Sequence, residues 1–199
     1  MDKRLFYPAT KRNCDAILTV LENIFPPEGH CLEIASGSGE HIVHFAEKHK
    51  GITFYPSDLE ADCLNSIQAW THHTGLTNIQ PPRQLDTTQE EWNLPMMDGI
   101  LCINMVHISP WEATVGLMKK AGSLLKENGF LYLYGPYQRN GQHTAPSNVS
   151  FEGWLKEKDA RFGVRHMEDV EAEARKNGLI LSQIVEMPAN NFSLVFHLE

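Results

Sequence analysis

The segment of residues 31–48 constrains the fold of this chain more than any other, because three local patterns follow one another without a gap. Residues 31–34 form a short apolar run interrupted only by Glu33, which predicts a buried strand. Residues 35–39 carry almost no side-chain bulk, and residues 40–48 repeat apolar side chains at helical spacing. A strand, a small-residue loop and a helix in this order present backbone N–H groups and a positive helix end to a ligand.

The rest of the chain alternates strand-like and helix-like segments, which is the pattern of a doubly wound α/β sheet. Further strands are predicted at residues 52–56, 83–86, 99–104, 130–134, 179–186 and 192–197, and further helices at residues 60–72, 111–125 and 169–177. Residues 135–148, rich in Gly, Pro, Asn and Gln, predict a long loop that covers a ligand. The last two strands are joined so tightly that they must pair antiparallel. We therefore expect one domain over residues 1–199, with a seven-stranded, mostly parallel sheet and a C-terminal antiparallel hairpin.

Charge and cysteine usage narrow the class of protein. The 17 basic residues against 25 acidic ones give a net charge of −8, which disfavours a broad contact surface for nucleic acid or an acidic membrane. The four cysteines are scattered without a CxxC pair, and Cys31 and Cys102 fall in predicted strands, so we expect reduced thiols in a cytosolic protein. The first residues lack the apolar core of a signal peptide, and no apolar run approaches the roughly 18 residues of a membrane span.

Polar residues stand at the carboxyl ends of successive predicted strands, namely at Glu33, Asp58, Asp86, Asn104 and Tyr134. In an open α/β sheet a ligand binds at this edge. Asp58 follows Gly37 by about the 20 residues at which an acid that binds ribose hydroxyls is expected. Asp86 can accept a hydrogen bond from an exocyclic amine such as that of adenine. Two plainer alternatives stay open, since Asp58 can cap the following helix and the glycine loop can be only a tight turn.

The spacing of the glycines separates two kinds of nucleotide. A dinucleotide loop has the pattern G-x-G-x-x-G, whereas Gly37 and Gly39 are followed by Ile42 at the third position. A carboxylate at Glu33 suits an ammonium or sulfonium group better than a diphosphate. The residues therefore favour S-adenosylmethionine, and an NAD-dependent oxidoreductase is the weaker alternative.

With these residues the chain resembles the class I S-adenosylmethionine-dependent methyltransferases, which have a Rossmann-like fold. Residues 33–39 match their acid-x-G-x-G-x-G loop, with Ala35 in place of the first glycine, a departure that costs little only if Ala35 keeps a negative φ. Residues 104–111 match the turn that lines the methionine part of the cofactor. The resemblance implies S-adenosylmethionine as the cofactor and assigns its binding to Arg12, Asn13, Glu33, Ala35, Ser36, Gly37, Gly39, Asp58, Leu59, Asp86, Thr87, Asn104, Met105 and His107.

More narrowly, nearly the whole chain is similar to a poorly characterised family of methyltransferase-like proteins of about 200 residues. Four motifs carry this similarity: Arg12-Asn13 followed by Ile17-Leu18, E-I-A-S-G-x-G at residues 33–39, N-M-x-H-I-x-P-W at residues 104–111 and G-P-Y at residues 135–137. We expect Arg12 and Asn13 to lie ahead of the first helix. There they either grip the carboxylate of the cofactor, as the resemblance implies, or only cap the helix. The similarity implies no particular methyl acceptor.

His107 and Tyr137 are the catalytic candidates. As a neutral imidazole, His107 can take a proton from an acceptor, and Tyr137 can line the acceptor pocket. Each of the two side chains can equally have a structural role. His41 and His44 share a helix face, but no Asp, Glu or Cys completes an obvious ligand set, so no metal site is expected.

Together these residues predict the transfer of a methyl group from S-adenosylmethionine to a small-molecule acceptor. The turn after the fourth strand lacks the Asn/Asp-Pro-Pro-Tyr motif of nucleic-acid amino-methyltransferases. With the acidic net charge, this argues against DNA or RNA as a substrate. A protein that binds the cofactor without catalysis is the second alternative, because the residues alone do not separate it from an enzyme.

Overall fold

A central sheet with helices on both faces organises the chain, and the computed structural model describes residues 2–199. The first half contains α1 (Pro8–Leu21), β1 (Gly29–Ile34), α2 (Glu40–Lys48), β2 (Ile52–Asp58), α3 (Ala61–Thr74) and β3 (Arg83–Gln84). The second half contains β4 (Met97–Ile103), a 3₁₀ turn (Met105–His107), α4 (Trp111–Leu124), β5 (Leu125–Gly135), β6 (Gln138–Arg139), β7 (Gln142–His143), α5 (Pro146–Lys158), α6 (Met167–Arg175), β8 (Leu179–Met187), a second 3₁₀ turn (Pro188–Asn190) and β9 (Asn191–Leu198).

Within residues 2–199, seven strands form one sheet in the order β3-β2-β1-β4-β5-β9-β8. Strand β9 runs antiparallel to both β5 and β8, whereas the other neighbours are parallel. The predicted doubly wound, mostly parallel sheet with a C-terminal antiparallel hairpin is therefore confirmed. Strand order reverses between β1 and β4, and a ligand crevice is expected at their carboxyl ends.

Side chains of the central strands alternate between two apolar layers, because helices cover both faces of the sheet. Leu32 and Ile34 of β1 pack in the layer that α4 and α6 cover, whereas Cys31 packs in the layer of α1, α2 and α3. Burial of each large aliphatic side chain stabilises the fold by roughly 1.5–3 kcal/mol. Among residues 2–199, no helix is long and apolar enough to cross a membrane.

Two predictions about local structure are wrong. Residues 135–148 are not an irregular loop, because they contain the β6–β7 hairpin and the start of α5. Helix α5 has only a weakly amphipathic sequence, which explains why its pattern gave no signal. Arg12 and Asn13 lie inside α1 and not ahead of it, because Pro8 occupies the first turn, where its fixed φ suits a helix.

Candidate functional site

The carboxyl ends of β1, β2 and β4 surround a crevice of about 510 Å³, which is within the range of roughly 300–1,000 Å³ of small-molecule sites. The loops after these strands, the start of α1 and the segment before α4 form its walls. Nine predicted cofactor-binding residues line this crevice: Ala35, Ser36, Gly37, Asp58, Leu59, Asp86, Thr87, Asn104 and Met105.

The loop between β1 and α2 has an unusual backbone conformation at three positions. The φ angle is 53° at Ala35, 57° at Gly37 and 89° at Gly39. The N–H of Ser36 donates to the carbonyl oxygen of Ser57 over 2.8 Å, which ties the loop to the end of β2. The positive φ of Ala35 means that the replacement of the first glycine of the motif is not a mild departure, because alanine is strained in this region.

We expect the substitution Ala35→Gly to stabilise the protein by about 0.5–1 kcal/mol. The left-handed conformation costs alanine about 1–2 kcal/mol, and the larger entropy of glycine in the unfolded chain offsets part of the gain. Urea unfolding followed by circular dichroism measures the change. The matched control is Ala16→Gly inside α1, which should destabilise by up to about 1 kcal/mol. Similar destabilisation by both substitutions would contradict strain at Ala35.

Asp58, at the end of β2, fastens two loops that border the crevice. Its Oδ2 accepts a hydrogen bond from the N–H of Gly37 over 2.8 Å, and its Oδ1 accepts one from the N–H of Glu60 over 3.0 Å. The N-cap residue of α3 is Glu60, so Asp58 does not cap this helix. Each carboxylate oxygen has room for a second hydrogen bond, which leaves Asp58 able to accept from a ligand.

Asp86 and Thr87 form a second polar wall of the crevice, after the short strand β3. Oδ1 of Asp86 accepts hydrogen bonds from the N–H and the hydroxyl of Thr88, over 2.9 and 2.7 Å. The backbone of Thr87 lies directly against Gly116 of α4, where any Cβ would overlap the Thr87 carbonyl oxygen. This close packing fixes the position of the Asp86–Thr87 turn relative to the sheet.

Asn104 directly follows β4 in a left-handed conformation with φ of 67°, which asparagine tolerates better than most residues. Its N–H donates to the carbonyl oxygen of Tyr134 over 2.8 Å, so the turn is anchored to the neighbouring strand β5. The 3₁₀ turn that follows begins at Met105, which lines the crevice together with Asn104. The two residues therefore form the wall opposite the β2 end.

A sequence model of one protein family matches residues 4–198, nearly the full length of the chain, and that family is described as "Protein of unknown function (DUF938)". The chain belongs to this family. The predicted membership in a family of short methyltransferase-like proteins is therefore confirmed, and the family description carries no activity with it.

Solved structures similar to this DUF938 chain include several methyltransferases. An O-methyltransferase family protein from Burkholderia thailandensis aligns with a TM-score of 0.81 at 14% identity, over 96% of this chain and 57% of that one. Human N-acetylserotonin methyltransferase in complex with SAM aligns with a TM-score of 0.77 at 14% identity, over 96% of this chain and 52% of that one. An O-methyltransferase family 2 protein from Planctomyces limnophilus in complex with apigenin aligns with a TM-score of 0.78 at 16% identity, over 96% of this chain and 60% of that one. These likenesses establish a Rossmann-like methyltransferase fold, and the DUF938 chain spans just over half the length of these proteins.

Glu33 of the DUF938 chain does not line the crevice. Its side chain is only 1% exposed, and Oε2 has no hydrogen-bond partner among residues 2–199. Burial raises the pKa of Glu33 to about 8, so the carboxyl group is protonated at neutral pH. In this arrangement the buried carboxyl group presents no charge to the crevice, and contact of Glu33 with a cationic ligand stays a prediction. Its carbonyl oxygen instead accepts hydrogen bonds from the hydroxyls of Ser36 and Ser57, which shapes the loop.

His107 and Tyr137 are fully buried behind the crevice and do not line it. Their rings meet edge to face with centroids 5.3 Å apart. Burial lowers the pKa of His107 to about 3 and raises the pKa of Tyr137 well above its usual value. In this arrangement neither side chain lines the crevice, and their catalytic role stays a prediction. Gly135 leaves room for the His107 ring, because a Cβ at this position would overlap it.

Gly39 also lies outside the crevice, although it belongs to the same loop as Gly37. A Cβ at Gly39 would come within 2.9 Å of the Cα of Ile67 in α3, so this glycine permits close packing of α2 on α3. A Cβ at Gly37 would come within 3.1 Å of the ring of Tyr7, which borders the crevice. Of the two glycines, only Gly37 lines the crevice.

The N-terminal wall of the crevice is not formed by the two residues that the resemblance indicated. Arg12 is exposed, and Asn13 is buried with its Oδ1 2.9 Å from Nε2 of His41. Tyr7, Thr10 and His41 line the crevice instead. The N–H of Tyr7 donates to Oε2 of Glu40 over 2.7 Å. No local sequence pattern pointed to these residues, because they reach the crevice only through the packing of α1 on α2.

Proposed function

We propose that this DUF938 chain is an S-adenosylmethionine-dependent methyltransferase that acts on a small-molecule acceptor. One observation carries the proposal. The crevice at the strand-order reversal is lined by the carboxylates of Asp58, Glu60 and Asp86, and within residues 2–199 no Lys or Arg side chain lines it. Such a crevice attracts a cationic nucleoside and repels a diphosphate.

The residues that line the crevice fit the parts of S-adenosylmethionine. Asp58 can accept hydrogen bonds from ribose hydroxyls while it holds the N–H of Gly37. Leu59, 51% exposed, offers an apolar surface for the adenine ring, and Asp86 and Thr87 offer polar atoms for its amine. Asn104 and the glycine loop would hold the amino-acid end. In this assignment Arg12, Asn13, Glu33, Gly39 and His107 support the walls of the site and do not touch the cofactor.

Packing of α2 argues against a nicotinamide dinucleotide. The third glycine of a dinucleotide loop lets the helix pack closely under a pyrophosphate. Here Ile42 holds that position and is fully buried in the layer between α2 and the sheet. The branched side chain keeps helix and strand apart, which adds to the unfavourable charge of the crevice for a pyrophosphate.

Catalysis in such a site rests on alignment more than on proton transfer. Bound S-adenosylmethionine supplies a methyl group on a positively charged sulfur, and transfer of that group to an oxygen or nitrogen of the acceptor leaves S-adenosylhomocysteine. The walls of the chain have to hold the acceptor in line and exclude water. Tyr7 and Ile108, both partly exposed at the crevice, offer apolar surface for an acceptor. His41 stays neutral because burial lowers its pKa to about 3, so it adds no positive charge beside the sulfonium.

Isothermal titration calorimetry with S-adenosylhomocysteine and with NADH tests the cofactor. We expect the first to bind and the second not to bind, and NADH binding alone would overturn the proposal. Transfer of a radiolabelled methyl group across a panel of phenols, amines and carboxylic acids then tests the reaction. Tight cofactor binding without transfer to any acceptor would favour a protein that binds S-adenosylmethionine without catalysis.

A further inference from the structure

Helices α1 and α2 bring together three metal-ligating side chains outside the crevice: Cys14, Asp15 and His44. Nε2 of His44 lies 3.0 Å from Oδ1 of Asp15, and Sγ of Cys14 lies 4.0 Å from the same oxygen. The three ligand atoms all lie within 4.8 Å of one another. We propose that this α1–α2 cluster binds a divalent transition-metal ion of the zinc type.

The spacing of the ligand atoms fits a tetrahedral ion. Zinc bonds of about 2.0 Å to nitrogen and oxygen and 2.3 Å to sulfur place neighbouring ligand atoms roughly 3.3–3.5 Å apart. The observed separations of 3.0 and 4.0 Å fall on either side of this value. The side chain of Asp15 is 89% exposed, so a small rotation can bring its carboxylate into place.

The environment of Nε2 of His44 also fits an ion at this position. This atom is sealed from solvent, and within residues 2–199 it has no hydrogen-bond partner, because its approach to Asp15 lies outside hydrogen-bond geometry. A buried ring nitrogen that faces a carboxylate without hydrogen-bond geometry is not satisfied by that contact alone. A metal ion beside Asp15 would satisfy the nitrogen and the carboxylate together.

The surroundings leave room for the ion and for a fourth ligand. Cys14 and His44 border a surface cavity of about 330 Å³, which Glu40, Glu47 and Lys11 also border. Water or one of the two glutamates can complete the coordination. A thiol, an imidazole and a carboxylate together favour zinc over magnesium or calcium, which prefer oxygen ligands. On binding, Cys14 releases its thiol proton to solvent.

The position of the α1–α2 cluster gives the ion a structural effect. The first turns of α1 carry Thr10 to the wall of the crevice, and α2 starts directly after the glycine loop. An ion that joins the two helices would restrain both sides of the crevice. The site does not depend on the proposed function, and no sequence pattern on one helix indicated it, because its ligands come from two helices.

Titration of the reduced full-length chain with Co²⁺ under anaerobic conditions tests the α1–α2 cluster. We expect one ion per chain, with the thiolate-to-cobalt charge-transfer absorption and the visible bands of tetrahedral Co²⁺. Zn²⁺ should displace the cobalt and abolish both absorptions. Zn²⁺ should also raise the midpoint of thermal unfolding by several degrees, because it binds only the folded chain.

Two substitutions separate this site from general metal binding. Cys14→Ser should remove the charge-transfer absorption, and His44→Gln should weaken Co²⁺ binding by at least about tenfold. Cys63→Ser is the matched thiol control and should leave both properties unchanged. Circular dichroism without metal checks that each variant is folded. The proposal fails if no charge-transfer absorption forms, or if a folded Cys14→Ser variant retains it.

Discussion

Replacement of Asp58 with alanine is expected to weaken the binding of S-adenosylhomocysteine by about 1–3 kcal/mol, which raises Kd roughly 5- to 150-fold. Asp58 is 7% exposed and lines the crevice, and its carboxylate can accept charge-assisted hydrogen bonds from ribose hydroxyls. Its loss also leaves the N–H of Gly37 without its acceptor, so the glycine loop loses an anchor. Isothermal titration calorimetry of the folded variant measures the effect.

Two further variants serve as controls for the Asp58→Ala result. Asp62→Ala removes the same charge from an exposed position in the first turn of α3 and should leave Kd unchanged. Asp58→Asn keeps the shape of the side chain but replaces one acceptor oxygen with a donor, which opposes the N–H of Gly37 or of Glu60. We expect it to bind almost as weakly as Asp58→Ala. A loss of only a few tenths of a kcal/mol in Asp58→Ala would show that another residue holds the ribose.

The sequence predicted correctly those helices and strands whose own residues show a clear apolar pattern. Helix α2 begins and ends at the predicted residues, and β4 is apolar from Gly99 to Ile103. Helix α5 gave no such signal, because its buried residues, Asn148 and Leu155, do not form an apolar stripe. Its placement depends on packing against the rest of the chain, which a local pattern does not contain.

The residues that line the crevice also fall into two groups, those that local sequence predicts and those that depend on tertiary packing. Residues at strand ends, such as Asp58 and Asn104, were predictable because parallel strands deliver their carboxyl ends to one edge of the sheet. Tyr7 and His41 were not, because they reach the crevice only through the packing of α1 on α2. The burial of Glu33 was not predictable for a related reason. Its position at a strand end was correct, but the direction of its side chain and the burial that raises its pKa are properties of the tertiary structure.

The glycines show that a motif does not determine which neighbouring atoms a glycine contacts. The G-x-G spacing marks Gly37 and Gly39 equally, yet one faces Tyr7 at the crevice and the other faces Ile67 of α3. A motif records that a side chain is excluded at a position, whereas the fold decides which neighbour excludes it. The same is true of Gly135 in the G-P-Y motif. The neighbour that excludes a side chain there is the ring of His107 and not a ligand.

Gly135→Ala is therefore expected to destabilise the protein by about 3 kcal/mol or more, although it adds a single methyl group. The new Cβ would overlap the ring of His107, which is fully buried and packs against Tyr137. Urea unfolding measures the loss. Gly153→Ala, in α5, is the matched control, because a Cβ there meets no atom within 4 Å and should stabilise the helix by up to about 1 kcal/mol.

A double-mutant cycle with His107→Ala identifies the cause of the destabilisation. His107→Ala alone should cost about 2–4 kcal/mol, because it leaves a cavity beside Tyr137. In the double variant the new methyl group enters that cavity, so the combined loss should be smaller than the sum of the two by at least about 1 kcal/mol. Additive losses would mean that the ring of His107 does not exclude a side chain at position 135. The role of His107 as a buried packing residue would then lose its main support.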